Sequence, residues 1–398
     1  MYHSGIGGGG FMTIRAPDGR FETVDFREVA PVAAFEDILL TMMVMMAVYS
    51  GVPGEPRGLE YLHSKYGKLE WFQVVEPVVH LARFGFVVTG DLASRIASVE
   101  DASFLTQDAS WALDFAPRGR LLQQGEVMTR KRYADTLEAI ALRGVDAFYS
   151  GAIAQATIAG LRARNGTMTM EDLANYTVVH REPIPSQLSR LQADQLQRPF
   201  RWHRSSKRAQ HSQQLRHARR PITIQPVNPP SRRGHQIRLR STYETRRSVI
   251  CRRDHPDGLD GLSRALSIPG VSNGFGYIPS PSNYIRPGKR PLSSISPIIA
   301  ETIDGKLLFS LGAAGGSRIT TATIQNTMHL LDRHLVPTTV TFEYAFDNST
   351  VAYMKSLHHN ASWVPPGQSL AQGVRLLSNG TFEAAGEPRL VASGGFAV

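Results

Sequence analysis

Between residues 186 and 266 the chain changes character, and this break limits what the rest can fold into. The 81 residues hold eighteen Lys plus Arg, seventeen of them Arg, against five Asp plus Glu. Gln, His, Pro and Ser fill much of the remainder, and the apolar residues follow no regular period. Such a stretch buries too little apolar surface to offset its ordering entropy, so it reads as disordered. A packed core then has to come from residues 1–184 and 267–398, with 185–266 as an anomalous block between them. The 398 residues carry a net charge of +10, of which the block supplies +13 and everything else −3. The basicity of the chain is therefore a property of the block alone.

One reading of the block is an arginine-rich insert for polyanions, with clusters such as Arg216-His217-Ala218-Arg219-Arg220 supplying electrostatic attraction. Against it stand a single lysine, Lys207, three aromatics, Phe200, Trp202 and Tyr243, and no recognition fold around them. The other reading is an out-of-frame or misspliced translation, since shifted reading of GC-rich coding sequence yields arginine without lysine. No nucleic-acid partner is expected. The one cysteine, Cys251, lies in the block and supports no disulfide inference.

After the block, Arg290-Pro291-Leu292-Ser293-Ser294-Ile295-Ser296-Pro297 is followed by Gly312-Ala313-Ala314-Gly315-Gly316-Ser317-Arg318. The two small-residue segments flank an expected hairpin, with strands over 297–303 and 307–311 and an Asp304-Gly305 turn. Adjacent serine hydroxyls rotate freely and can grip a carboxylate. Paired glycines can turn backbone N–H groups toward a developing oxyanion with no Cβ in the way. At the other end, His3-Ser4-Gly5-Ile6-Gly7-Gly8-Gly9-Gly10-Phe11 leads into strands over 12–15 and 21–26 across a Pro17-Asp18-Gly19 turn. Arg27 follows the second strand, where a guanidinium fork suits bidentate capture of a carboxylate. Taken singly, Arg27 could pair with Glu28 or Asp25, the serines could be turn residues, and the glycines a bulge. Their joint order suggests acyl transfer on an amino-acid-like substrate.

These segments, in this order, resemble gamma-glutamyltranspeptidase, also called glutathione hydrolase, an N-terminal-nucleophile hydrolase. The resemblance spans 1–184, including Ser50-Gly51-Val52-Pro53-Gly54-Glu55. It resumes over 267–398, including Ser267-Ile268-Pro269-Gly270-Val271 and Ser393-Gly394-Gly395-Phe396. It implies an α+β fold, a four-layer αββα sandwich, incomplete here, with a large-subunit-like part (1–184) and a small-subunit-like part (267–398). The implied activity is hydrolysis or transfer of the gamma-glutamyl group of glutathione and related amides through a threonine acyl-enzyme formed after self-cleavage. The implied partners are a small-molecule gamma-glutamyl substrate and an acceptor that is an amino acid, a peptide or water. No cofactor and no metal are implied. Arg27, Ser293 and Ser294 are assigned to the substrate α-carboxylate, and Gly315 with Gly316 to the oxyanion hole. The family's Gly-Thr-Ser/Thr-His start has no counterpart in 242–250 or 257–266. The nucleophile is thus unknown, and the acidic partner of the substrate α-amino group is unassigned. The alternative reading is an inactive member lacking the threonine through an altered or truncated gene.

Other features are blander. Gly7 to Gly10 reads as a tight loop, because no Gly-Lys-Ser/Thr follows and the chain enters a strand. His63, His80, His329, His358 and His359 show no metal-ligand spacing. The apolar, methionine-rich run 38–49 is too short to span a bilayer, which takes about twenty apolar residues. No signal peptide is read ahead of His3-Ser4-Gly5. Five of nine asparagines, Asn165, Asn175, Asn348, Asn360 and Asn379, nevertheless sit in N-x-Ser/Thr sequons. With the resemblance, they imply a secreted or membrane-associated extracellular glycoprotein. Helical spacing predicts helices over 58–81, with Pro77 starting or bending one, and over 92–99, 133–141, 151–164, 169–173 and 320–331. Periodicity alone supports only a mixed α and β fold.

Overall fold

Residues 5–35, 50–99, 102–188, 237–241, 267, 269–270, 272, 277–302, 304–331, 339–343, 348–356, 360–364, 370–377 and 379–386 are described by a computed structural model. The methionine-rich run 38–49 lies outside them, as does the arginine-rich block apart from 185–188 and 237–241. The helices are α1 (Glu55–Tyr66), α2 (Trp71–Phe84), α3 (Gly90–Ala97), α4 (Ser103–Gln107), α5 (Ala109–Phe115), α6 (Lys131–Arg143), α7 (Asp146–Tyr149), α8 (Gly151–Arg162), α9 (Met170–Ala174), α10 (Ile319–Leu331) and α11 (Asn348–Ser356). The strands are β1 (Phe11–Arg15), β2 (Phe21–Asp25), β3 (Phe86–Val87), β4 (Val127–Met128), β5 (Val179–Arg181), β6 (Ile184–Leu188), β7 (Ile237–Ser241), β8 (Ile298–Thr302), β9 (Leu307–Ala314), β10 (Thr339–Glu343), β11 (Asn360–Val364), β12 (Leu370–Leu376) and β13 (Phe382–Ala385).

The helical spacing over 58–81 resolves into two helices. Glu70 and Gln73 form a capping box that starts α2 afresh after Gly67. Pro77 falls inside α2 rather than at its start, which removes the bond the Gln73 carbonyl would accept. The helix persists because its Val79 and Ala82 are buried against α6, whose own buried stripe is Ala134, Leu137, Ile140 and Ala141. Each Leu or Ile fully buried there contributes about 1.5–3 kcal/mol.

Two sheets position the rest. A three-stranded sheet has the order β1-β2-β5, and a six-stranded sheet the order β13-β12-β9-β8-β7-β6. The β1–β2 register pairs Thr13 with Thr23 and Arg15 with Phe21. Strand alternation therefore puts Thr13, Arg15, Thr23 and Asp25 on one face and Glu22 with Val24 on the other. Helix α1 covers the second face, where Tyr61 and Tyr66 hydroxyls and Lys65 Nζ all donate to the Glu22 carboxylate. The first face meets the large sheet, through an ion pair from Arg15 Nε to the buried Glu301 of β8 at 3.2 Å. Helix α10 packs along β9 and β12. The order helix, sheet, sheet, helix is that of an αββα sandwich.

The hairpin β8–β9 forms as its sequence predicts, turning at Asp304-Gly305, where Gly305 N donates to Thr302 O at 2.9 Å. The expectation of irregular backbone throughout 186–266 needs correcting at 186–188, the end of β6, and at 237–241. The latter segment is a strand between β6 and β8, antiparallel to both, with Ile237 opposite Leu188 and Thr302. Its Ile-Arg-Leu-Arg-Ser alternation has the strand period of two, which a count of charges conceals. Among the described residues no helix is long and apolar enough to cross a membrane.

Candidate functional site

Arg27 lies just past the end of β2, and both of its backbone polar groups are held. Its N–H donates to Asp25 Oδ1 at 3.0 Å, and its carbonyl accepts from Tyr176 Oη at 2.8 Å and Arg290 Nη1 at 3.0 Å. The glycine run packs against the same stretch. Gly10 exchanges backbone hydrogen bonds with Phe26, and a Cβ on Gly9 would fall 2.4 Å from the Phe26 carbonyl oxygen and 2.9 Å from Glu28 N. Glycine is thus needed for close approach of two backbones, the tight structural loop rather than an anion cradle. The Arg27 guanidinium forms an ion pair with Glu28, Nη1 to Oε2 at 2.9 Å, with both side chains largely buried. Arg27 Nε and Glu28 Oε2 are nonetheless buried without a hydrogen bond among the described residues. That leaves donor capacity on Arg27.

Asp25 is the charge at the centre of this region. Its side chain is 1% exposed and accepts from Arg181 Nε at 2.8 Å and Nη2 at 2.5 Å on one oxygen, and from Arg290 Nη1 at 3.2 Å on the other. Tyr176 is buried beneath the Arg290 guanidinium, 5.2 Å from ring centroid to Cζ. Burial pushes its phenol up to about 12, so at neutral pH the hydroxyl remains a donor to Arg27 O while accepting from Arg290.

The serine and glycine pairs meet at the end of β9. Ser294 Oγ donates to Gly316 O at 2.5 Å, and Thr320 Oγ1 of α10 donates to Ser294 O at 3.2 Å. Ser293 Oγ accepts from Ile295 N at 3.1 Å, leaving its O–H without an acceptor among the described residues. Gly315 (φ 130°) and Gly316 (φ 58°) carry the chain from β9 into α10 through backbone that a side chain would strain. Their N–H groups donate to nothing among the described residues. Of the residues singled out from sequence, Ser293, Ser294, Gly315 and Gly316 are brought together. No hydrogen bond or ion pair joins the Arg27 side chain to either serine among the described residues; the link runs through Arg290. Sequence reasoning offered Asp25 only as an ion-pair partner of Arg27, a place that Glu28 takes, and gave no role to Tyr176 or Arg290. The one signal available was an Arg-Pro step directly ahead of the serine pair.

Comparison with known proteins shows the family. A sequence profile described as Gamma-glutamyltranspeptidase matches residues 1–199 and 259–395. The chain is 40% identical over 493 aligned positions to a glutathione hydrolase proenzyme of Arthroderma benhamiae, covering all of this chain and 84% of the relative. It is 36% identical to a glutathione hydrolase of Aspergillus flavus, covering 99% of this chain and 82% of that one. The crystal structure of a cephalosporin acylase from Bacillus halodurans shares the fold, at a TM-score of 0.66 and 18% identity, covering 99% of this chain and 87% of that one. The first alignment is 95 positions longer than this chain's 398 residues, and the profile leaves 200–258 unmatched, inside the arginine-rich block. With 336 residues matched by the profile and full-length similarity to two hydrolases, the chain belongs to the gamma-glutamyltranspeptidase family.

Proposed function

We propose that the chain binds the gamma-glutamyl group of glutathione and related amides in a site outlined by Arg27, Ser293, Ser294, Gly315 and Gly316. The site serves hydrolysis, or transfer to an amino acid or peptide, through a threonine acyl-enzyme. The observation that carries this reading is the Ser294 Oγ to Gly316 O hydrogen bond, because it sets the two halves of the recognition problem side by side. A gamma-glutamyl amide presents an α-carboxylate and, beyond the α-carbon and two methylenes, the amide carbonyl to be attacked. Ser293, whose O–H has no acceptor among the described residues, donates to the α-carboxylate, and Arg27 supplies its charge. The N–H groups of Gly315 and Gly316 receive the oxyanion that forms as a threonine Oγ adds to the amide carbon, its proton passing to the threonine's own amine. The C–N bond then breaks, the amine leaves with that proton, and water or an acceptor amine cleaves the ester. Secreted or membrane-associated placement belongs to the same proposal, supported by the exposure of Asn165, Asn175, Asn348 and Asn379.

A second reading, binding without turnover, is favoured by one observation: the profile breaks off across 200–258, and no Gly-Thr-Ser/Thr-His stretch precedes Ser267. Thr223, Thr242 and Thr245 lie outside the described residues. The purified chain, assayed with a chromogenic gamma-glutamyl anilide and by N-terminal sequencing, separates the two. A second N-terminus beginning with threonine together with amine release establishes the acyl-enzyme route. One intact chain that binds L-glutamate, loses it in Arg27→Ala and releases no amine establishes binding alone. Failure to bind L-glutamate or the anilide refutes both.

A further inference from the structure

We propose that Arg290 is a positioning residue that sets the spacing between Arg27 and the Ser293-Ser294 pair; the inference rests on the reading of that site given above. Its side chain is 14% exposed, and the guanidinium spans segments far apart in the chain. Nη1 donates to Asp25 O and Asp25 Oδ1, both at 3.2 Å, to Arg27 O at 3.0 Å and to Tyr176 Oη at 3.1 Å, and Nη2 donates to Thr177 O at 2.6 Å. The acceptors all belong to residues 25–27 and 176–177, whereas Arg290 itself is three residues ahead of Ser293.

The short connection from Arg290 to the serines is stiff. Pro291 holds its φ near −65°, and Leu292 N donates to Asn283 Oδ1 at 2.9 Å. On the other side, Asp25 cannot follow a displaced Arg290, because its second oxygen is held by Arg181. Arg27 cannot drift independently either, since Asp25 holds its N–H while Tyr176 and Arg290 hold its carbonyl. Only a planar fork with donors on both terminal nitrogens fits this set of acceptors. A lysine, with one compact ammonium, meets a fraction of them.

The test is titration calorimetry of the full chain with L-glutamate and with isoglutamine, which replaces the α-carboxylate by a neutral amide of the same shape. Arg290→Lys keeps the charge that balances Asp25 but loses the fork. It is expected to weaken glutamate by about tenfold and isoglutamine by less than about twofold, collapsing the preference for the carboxylate. Tyr176→Phe removes one hydroxyl shared by Arg27 and Arg290, and is expected to move the preference the same way by about threefold even where the lysine variant fails to fold. An unchanged preference in the folded variants, or equal weakening of both ligands, would show a general staple and overturn the proposal. Arg27→Ala separates the two levels of inference. Glutamate binding lost in Arg27→Ala but unaltered in Arg290→Lys overturns the positioning role alone, whereas binding that is absent in the parent or survives Arg27→Ala overturns the site reading and this role with it.

Discussion

Replacing Asp25 by asparagine keeps the shape of the side chain and removes its charge. The carboxylate is 1% exposed and faces two guanidinium groups, Arg290 at 14% exposure and Arg181 at 48%. The two should respond differently. Arg181 is half in solvent, so its lost pairing is screened and contributes under about 1 kcal/mol. Arg290 is left as a buried cation without a counter-charge among the described residues, a loss of about 3–5 kcal/mol in comparable sites. Its four remaining neutral acceptors, Asp25 O, Arg27 O, Tyr176 Oη and Thr177 O, favour the lower end of that range. The Arg27 N–H bond to Oδ1 survives in asparagine. A net loss of about 3 kcal/mol lowers the midpoint of thermal unfolding by about 6–12 °C at the 2–4 °C per kcal/mol typical of large domains. Circular dichroism melts at one fixed scan rate measure it, with Arg181→Met as the control expected to shift by no more than about 4 °C. A shift below about 2 °C in Asp25→Asn, or an equal shift in Arg181→Met, would refute the assignment of the buried charge balance to Arg290.

Three further outcomes are expected. Gly9→Ala places a Cβ 2.4 Å from the Phe26 carbonyl oxygen, and the forced shift beside Arg27 should cost about 1–3 kcal/mol and weaken L-glutamate binding; an unaltered melt and affinity would show that the loop yields freely. Ser293→Ala should weaken L-glutamate more than Ser294→Ala, because the Ser294 O–H is already committed to Gly316 O; calorimetry showing the reverse order would mean that the Ser294 hydroxyl swings onto the ligand. Glu126 accepts from Arg120 and from Gln123 N, and chiefly the Arg120 hydrogen bond lowers its carboxyl from 4.5 to about 2. A depressed carboxyl contributes stability that is present above the unfolded value of 4.5 and lost as pH falls through about 2. The Gln123 amide shift followed by NMR should therefore titrate with a midpoint near 2, and a midpoint at the unperturbed value would rule the turn out.

The elements nearest the site are written in short stretches of sequence. Pro17-Asp18-Gly19 and Asp304-Gly305 close hairpins because aspartate and glycine satisfy turn geometry locally, and the strands on either side alternate with period two. The serine and glycine pairs were legible for the same reason: each is a local composition with a local chemical consequence. The strand at 237–241 was hidden, since five residues of period two carry little weight inside 81 that are dominated by arginine. Nor could the sequence tell which serine hydroxyl is committed to a backbone carbonyl, because that depends on the Gly316 carbonyl, 22 residues on. The Asp25, Tyr176 and Arg290 network is more remote still, with Asp25 and Arg290 separated by 265 positions. Its arginine has no local reason to be there. A buried ion pair is selected by what two packed segments jointly exclude from water, and that exclusion exists only once the small sheet lies against the loop leading into β8.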